Sequence, residues 1–464
     1  MRIVLADLKA DQGFVSKDTV VGGYGSRLRP FSKVTRVICT LKRRFHDLRS
    51  IHLAYLAAIA ARAGHEVVFS SGELVEGDTA IVLSSLVDHR NETGWAKKMR
   101  ARGTRVGFVG LTASKLPELF AESADFIVNG EPEHAMNRLV AGDTLAGIVE
   151  SPAVPDLDVL PFPRWDLLAA PKRRFKVPFA GRPIGGAFPL LASRGCPEFC
   201  TYCPHRILAA HRSRSVDNIL DELSQLTADY PRPYVVFRDP LFSDNRDRAM
   251  SLCEGILSRG LDLTFECETR LDRLDPELLT LMHRAGLRAI SFGVEAMSPA
   301  ILKKVGRRPI PEAHQRVVVD HCRSLGIVTA AFYVLGFLED DWNSISATID
   351  YATELGSTVA QFKILTPYPA TPLWKKMEPL VDEQDWEKFD GFTPTFNHPN
   401  LSKEQLQFLL GAAYTRFYLR PSYLANYLRI SAPRIREMVA RLDVRVSRLQ
   451  ARRESEKMPR AISC

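Results

Sequence analysis

Three cysteines fall close together in this 464-residue chain, in the run Cys196-Pro-Glu-Phe-Cys200-Thr-Tyr-Cys203. Thiolates at this spacing can ligate one metal centre. A structural zinc usually takes four protein ligands in a closed tetrahedral shell. Here no second cysteine pair lies near, and His205 is an awkwardly close fourth donor. An iron–sulfur cluster of the [4Fe–4S] type is normally held by four thiolates. Three thiolates leave one iron open to a substrate or cofactor. The other cysteines (Cys39, Cys253, Cys267, Cys322 and Cys464) are scattered singly. They read as small buried hydrophobes or inert thiols.

The elements around the cysteine run alternate strand and helix. Pro189 to Ser193 reads as a strand that delivers the loop. Val216 to Asp229 has apolar Ile219, Leu220, Leu223 and Leu226 at helical spacing. Strands follow at 234–239, 263–267, 289–293, 328–335 and 359–365, with helices at 246–259, 275–285 and 344–355. Six strands with intervening helices imply a parallel sheet with right-handed crossovers. They fit an incomplete TIM-like (β/α)6 barrel, in which chemistry is built at the C-terminal ends of strands. Asp239, Glu268, Arg270, Glu295 and Glu339 break the apolar pattern at those ends. Each also has a plain reading as a loop charge or ion pair.

The segment Arg194-Gly195-Cys196-Pro-Glu-Phe-Cys200-Thr-Tyr202-Cys203-Pro204 resembles the cluster loop of radical S-adenosylmethionine (SAM) enzymes. The resemblance implies that Cys196, Cys200 and Cys203 hold a [4Fe–4S] cluster whose open iron chelates SAM. It places Tyr202 beside the adenine, and Asp239, Glu268, Arg270 and Glu295 around the rest of SAM. Gly336-Phe-Leu-Glu339 is similar to the family's glycine-x-x-glutamate turn, and Thr366 to Pro372 to the loop after its sixth strand.

Residues 1–150 also alternate strand and helix and predict a doubly wound, Rossmann-like α/β domain. Strands are expected at 3–6, 67–69, 80–84, 106–109 and 126–128, and helices at 50–63, 93–102, 116–122 and 131–140. No G-x-G-x-x-G and no P-loop is present, which disfavours a dinucleotide or ATP site. Leu53-Ala-Tyr-Leu-Ala-Ala-Ile, Gly64-His-Glu-Val67, Val109-Gly110-Leu111 and Ala124 to Glu131, in that order, resemble the cobalamin-binding domain that precedes many radical SAM domains. The D-x-H-x-x-G frame that supplies a lower cobalt ligand in many such domains is absent: His46, His52, His65, His89 and His134 all fall outside it. A proline-rich linker spans 151–184, the radical SAM domain 185–385, and a helical C-terminal extension 386–464. The segment from Lys9 to Arg49 is too long for an ordinary βα loop. It reads either as a cavity wall or as a surface excursion.

The resemblance as a whole implies a cobalamin-dependent enzyme that uses a cluster and SAM to methylate an unactivated carbon. Its rivals are a cobalamin radical SAM cyclase or rearrangement enzyme, and a non-catalytic corrinoid or iron–sulfur sensor. A methylthiotransferase would need a second cluster, and only Cys39 precedes Cys196. The implied partners are a small-molecule or lipid-linked substrate and an electron donor such as a flavodoxin or ferredoxin.

The net charge of +8 is uneven. Arg27 to Arg49 carries eight basic residues against one acidic, and Arg429 to Cys464 ten against four. The rest of the chain is mildly acidic. The C-terminal run spaces Ile435, Met438, Val439, Leu442, Val446 and Leu449 as a basic amphipathic helix. It could rest on an anionic membrane or simply be solvated. No nucleic-acid module is recognised. No apolar run nears the roughly 20 residues of a spanning helix, so the expected placement is cytoplasmic.

Overall fold

The computed structural model describes residues 1–45, 48–168 and 187–421, together with 423 and 425. The basic run from Arg429 and the linker from residue 169 to 184 lie outside the described residues. Two six-stranded parallel sheets organise the chain.

The first sheet uses β1 (Arg2–Ala6), β2 (Glu66–Ser70), β3 (Thr79–Leu83), β4 (Arg105–Val109), β5 (Phe126–Gly130) and β6 (Gly147–Ser151). Its order is β2-β1-β3-β4-β5-β6. The order reverses beside β1, which is the topological switch of a doubly wound sheet. Both faces of the sheet are covered. Ile3, Leu5, Ile81 and Leu83 pack with the helix Ile51–Arg62, while Val4, Ala80, Val82 and Phe108 pack with the helix His89–Arg100. The first of those helices is apolar nearly all round, as a helix buried on every side must be. Ser50 caps it by accepting from the Leu53 amide at 3.2 Å. β6 carries no strong apolar signal, since Gly147, Ile148 and Glu150 are exposed, and the sequence pattern gives no strand there. The helix expected at 116–122 is replaced by the short helix Leu111–Lys115 and two 3₁₀ turns. Pro117 lacks the amide that an α-helix running through it would need.

The second sheet uses β7 (Ala187–Leu190), β8 (Tyr234–Phe237), β9 (Thr264–Thr269), β10 (Leu287–Glu295), β11 (Val328–Leu335) and β12 (Val359–Ile364), paired in that sequential order. Here the two faces differ in kind. On β12, Ala360 and Phe362 are buried outward, Phe362 against Tyr414 of the helix Lys403–Tyr418 at 5.6 Å between ring centroids. Gln361 and Lys363 face inward, half-buried, onto a cavity. Glu266 and Glu268 on β9 and Ser291 on β10 line the same cavity.

The Lys9–Arg49 segment leaves its own sheet. It forms a short hairpin, Phe14–Ser16 with Ser26–Leu28, and then the helix Lys33–Phe45. Phe31 packs on Phe392 (6.4 Å) and Tyr414 (5.7 Å), beside the second sheet. A buried charge network pins the hairpin to the first sheet. Lys17 meets Glu92 at 2.7 Å and Asp88 at 3.7 Å, and Arg27 pairs with Asp88 and reaches Glu387 at 3.2 Å. Burial on this scale is sustained only because every charge has an opposite partner.

Candidate active site

The cysteine loop leaves the C-terminal end of β7. Gly195, at φ +74°, makes the turn, where a Cβ would lie 2.4 Å from the Ala209 carbonyl oxygen. Arg194 anchors the loop from behind. Its buried guanidinium donates to Glu131 (3.0 Å) and Glu133 (2.6 Å) at the start of the helix Pro132–Val140 in the first domain. It also lies 5.4 Å from the Tyr55 ring centroid. The pairing keeps Glu133 ionised despite its burial.

Cys196, Cys200 and Cys203 carry no disulfide and lie near enough for their charges to act on one another. Burial pushes the Cys196 thiol up to about 11, and Cys203 well above its ordinary value, with the Cys200 charge adding to both. Such thiols stay protonated until a metal displaces the proton. Among the described residues, no three His, Cys, Asp or Glu side chains converge as they would around a single metal ion. Arg307 supplies a compensating cation, with Nη1 3.8 Å from the Cys200 sulfur. The same guanidinium donates to the Gly293 carbonyl and sits 3.4 Å from Glu295. A Cβ at Gly293 would lie 2.1 Å from the Glu295 carboxylate, so a side chain there would displace the pair. Glu295 itself is held at φ +69°, a conformation non-glycine residues rarely adopt. Strain of this kind clusters at functional sites.

A cavity of about 760 Å³ opens beside the loop. It brings together Tyr202, Cys203, Glu268 and Glu295. Tyr202 is held edge-on to Phe337 at 5.6 Å. Burial pushes Glu268 up to about 7, against the pull of Arg238 and Lys363. Asp239 and Arg270 do not line this cavity. Asp239 is buried and accepts from the Ala192 amide at 3.0 Å and from the Ser193 hydroxyl, bolting the end of β8 to the strand that launches the loop. Arg270 pairs with Asp272 (2.9 Å) and reaches Glu198, inside the loop, at 3.7 Å. Glu339 pairs with Lys304 at 3.2 Å, while Asp340 accepts from the Gly336 and Phe337 amides.

The segment from Lys9 to Arg49 is a cavity wall. Gly13 to Val21, Ile38 and Lys42 line the chamber. A Cβ on Gly22 would lie 2.7 Å from the Pro204 carbonyl carbon and 2.8 Å from the His205 amide nitrogen, directly after Cys203. Tyr24 donates to the Pro369 carbonyl at 2.8 Å and stacks on Tyr368. The sequence signal was the glycine-rich run Gly22-Gly23-Tyr24-Gly25. Nothing in the sequence marked Arg307, which comes from a turn more than 100 residues after the cysteines.

A second, smaller crevice of about 80 Å³ lies at the C-terminal edge of the first sheet. It is lined by Leu83, Val109, Gly110, Leu111, Ser114 and Gly130 on one side, and by Arg194, Gly195 and His205 on the other. Asp18, Thr19, His205, Arg238 and Pro240 line both spaces, so the two adjoin.

A three-thiol loop at the C-terminal mouth of a parallel α/β sheet, beside a polar chamber, defines an enzyme that works through an open iron–sulfur cluster. The family model for the radical SAM superfamily matches residues 190–352. The chain is 30% identical over 323 residues to "Uncharacterized methyltransferase PH0819" of Pyrococcus horikoshii, covering 65% of this chain and 68% of that one. It is 26% identical over 335 residues to an anaerobic magnesium-protoporphyrin IX monomethyl ester cyclase of Rubrivivax gelatinosus, spanning 66% of this chain and 59% of the cyclase. Among solved structures, TsrM of Kitasatospora setae, a radical SAM methyltransferase with cobalamin and a [4Fe–4S] cluster bound, matches with a TM-score of 0.61 at 15% identity, covering 91% of this chain and 89% of that one. The chain belongs to the radical SAM superfamily, whose members use a [4Fe–4S] cluster and SAM. Among the described residues, no helix is long and apolar enough to cross a membrane.

Proposed function

We propose that this protein is a cobalamin-dependent radical SAM methyltransferase acting on an unactivated carbon. One observation carries the reading: the loop of Cys196, Cys200 and Cys203 stands between the chamber of the second sheet and the switch-point edge of the first. Ligands of doubly wound sheets bind at that edge. When bound, a cluster with an open iron would supply an electron for reductive cleavage of SAM, and a corrinoid would supply a transferable methyl group.

The chain's own residues do the rest. Cys196, Cys200 and Cys203 hold the cluster, and Arg307 offsets the charge of their thiolates. Tyr202, Glu268 and Glu295 hold SAM in the chamber. Glu268 and Glu295 offer acceptors for an ammonium and a ribose diol, the groups SAM presents. Asp239 and Arg270 act one step back, fixing the cluster loop to β8 and to the turn after β9. The polar inner face belongs to a partial barrel opened enough to admit a substrate. Leu83, Val109, Gly110, Leu111, Ser114 and Gly130 would hold the corrinoid. Gly110 and Gly130, with φ of +109° and +111°, bring bare backbone to that edge. The 80 Å³ crevice, bordered by the turn Thr19–Gly23, is far smaller than a corrinoid, so these residues mark the edge of such a site and not a preformed cavity. Val21 sits in that turn at φ +49°, strained for a β-branched residue. The chain carries no D-x-H-x-x-G frame.

A flavodoxin or ferredoxin fits the need for a low-potential electron donor. The match to a cyclase keeps a second reading, ring closure without methyl transfer, which product mass separates from the first. Anaerobic reconstitution with iron, sulfide and hydroxocobalamin, followed by a low-potential reductant and SAM bearing a trideuterated methyl group, tests the proposal. Methylation of an accepted substrate by this route adds an intact CD3 group, and cyclisation adds none. Failure to retain cobalamin through gel filtration would refute the corrinoid part.

A further inference from the structure

The chamber holds a cation that the cluster and SAM assignments leave unused. Lys363 lies on the inner face of β12 and lines the chamber. Its stem runs along Gly391, where a Cβ would lie 3.0 Å from Cδ and 3.4 Å from Nζ. Gly391, at φ +86°, is the cradle that lets the ammonium reach inward, and the Gly391 carbonyl is fixed by the Ile364 amide at 2.9 Å. The ammonium lies 5.8 Å from the centre of the Phe392 ring.

Three carboxylates face Lys363, and among the described residues none stands within ion-pair distance of it. Asp390 spends its oxygens on the Phe392 amide (2.8 Å), the Thr393 amide (2.9 Å) and the Thr393 hydroxyl (3.1 Å). Glu295 is paired with Arg307. Glu268 is driven towards its neutral form by burial. Burial pulls Lys363 itself down to about 8, the sign of an ammonium whose water has been removed and not replaced by a salt bridge. A half-buried cation of this kind gains most from an anionic acceptor brought by a ligand.

Aromatic side chains share the chamber wall with its polar ones. Phe14, Phe332, Phe392, Tyr414 and Tyr418 line the same chamber. Resting on the chamber's reading as a substrate site, we propose that Lys363 anchors an anionic oxygen group, a carboxylate or a phosphate, carried on an apolar ring-bearing substrate. The charge then sits on Lys363, and the aromatic wall takes the body. Lys363 is a specificity residue for that group.

Three fluorinated probes test this on the full-length, cluster-loaded chain by 19F NMR titration: 4-fluorobenzoate, 4-fluorophenyl phosphate and 4-fluorobenzylamine. Wild type binds at least one anion, and the comparison of the first two tells carboxylate from phosphate. Lys363→Met weakens that anion by about tenfold or more, while Lys363→Arg stays within about threefold. The amine does not lose affinity in Lys363→Met. The proposal is overturned if neither anion binds wild type, or if Lys363→Met binds it equally well. It is also overturned if Lys363→Met weakens SAM binding by the same factor, because the ammonium then belongs to SAM. Deoxyadenosine formation is measured in parallel. If it is absent while anion binding still depends on Lys363, the radical SAM reading fails alone. If it is present while anion binding ignores Lys363, this inference fails alone.

Discussion

The two sheets are written in the same βα grammar, yet they use their faces differently. The first sheet buries both faces in apolar side chains and leaves only its C-terminal edge for a ligand. The second buries one face and turns the other, with Glu266, Glu268, Ser291, Gln361 and Lys363, onto a chamber. The difference lies in strand order. A reversal beside β1 sends helices to both faces, whereas sequential pairing from β7 to β12 puts every crossover on one side and curls the sheet around what remains. The first design offers a platform and the second a vessel. The cysteine loop stands where they meet, held by Arg194 to one and by Asp239 to the other.

Perturbing each side should separate platform from vessel. The largest effect is expected from Cys200→Ala, which removes an iron ligand and drops deoxyadenosine formation to background by chromatography and mass spectrometry, with the fold unchanged by circular dichroism. Next, Phe108→Ala in the first sheet should cost about 3–5 kcal/mol in chemical denaturation by opening a core cavity. The same truncation at Phe362 should cost as much and also loosen the wall that carries Lys363. Arg194→Met strands Glu133 as an unpaired buried charge, at about 3–5 kcal/mol. If denaturation shows less than 1 kcal/mol, the clamp does not join the two domains.

Smaller effects sharpen the contrast. Glu268 has a folded pKa of about 7, above the 4.5 of an ordinary glutamate. The unfolded chain therefore loses this proton first, and this group's contribution to stability falls as pH rises from about 4.5 to 7, then levels off. Glu268→Gln should flatten that slope in the cluster-free chain, recovering on the order of 3 kcal/mol at pH 8. Gly110→Leu would fill the crevice of the first sheet. It should weaken hydroxocobalamin uptake, followed by absorbance, by about tenfold or more while deoxyadenosine formation persists.

Much of this was legible in the sequence. Long periodic elements such as Val216–Asp229 and Val328–Leu335 coincide with the expected bounds. The cysteine loop was legible because its signal is local: three thiols and their turn glycine lie within one short run. Tyr202 stood out through its place before the last cysteine of the resembling loop, and Glu268 and Glu295 as polar residues at the ends of apolar strands; all three line the chamber. What escaped depends on contacts distant in sequence. Arg307, Lys363 and the Arg194 clamp acquire meaning only when crossovers bring them together. The strand Gly147–Ser151 escaped because it is an edge with exposed side chains, and the helix Lys33–Phe45 because its charges hid an apolar face of Val34 and Ile38 that packs on the second sheet's core.

The central claim is that the three-cysteine loop holds a cluster that cleaves SAM reductively. The direct measurement is 5′-deoxyadenosine released after anaerobic reconstitution with iron and sulfide and addition of SAM and dithionite. The account predicts release from wild type and none from Cys196→Ala, Cys200→Ala or Cys203→Ala. A wild-type protein with a reduced cluster visible by electron paramagnetic resonance and no deoxyadenosine, or undiminished release from any of the three variants, would contradict it.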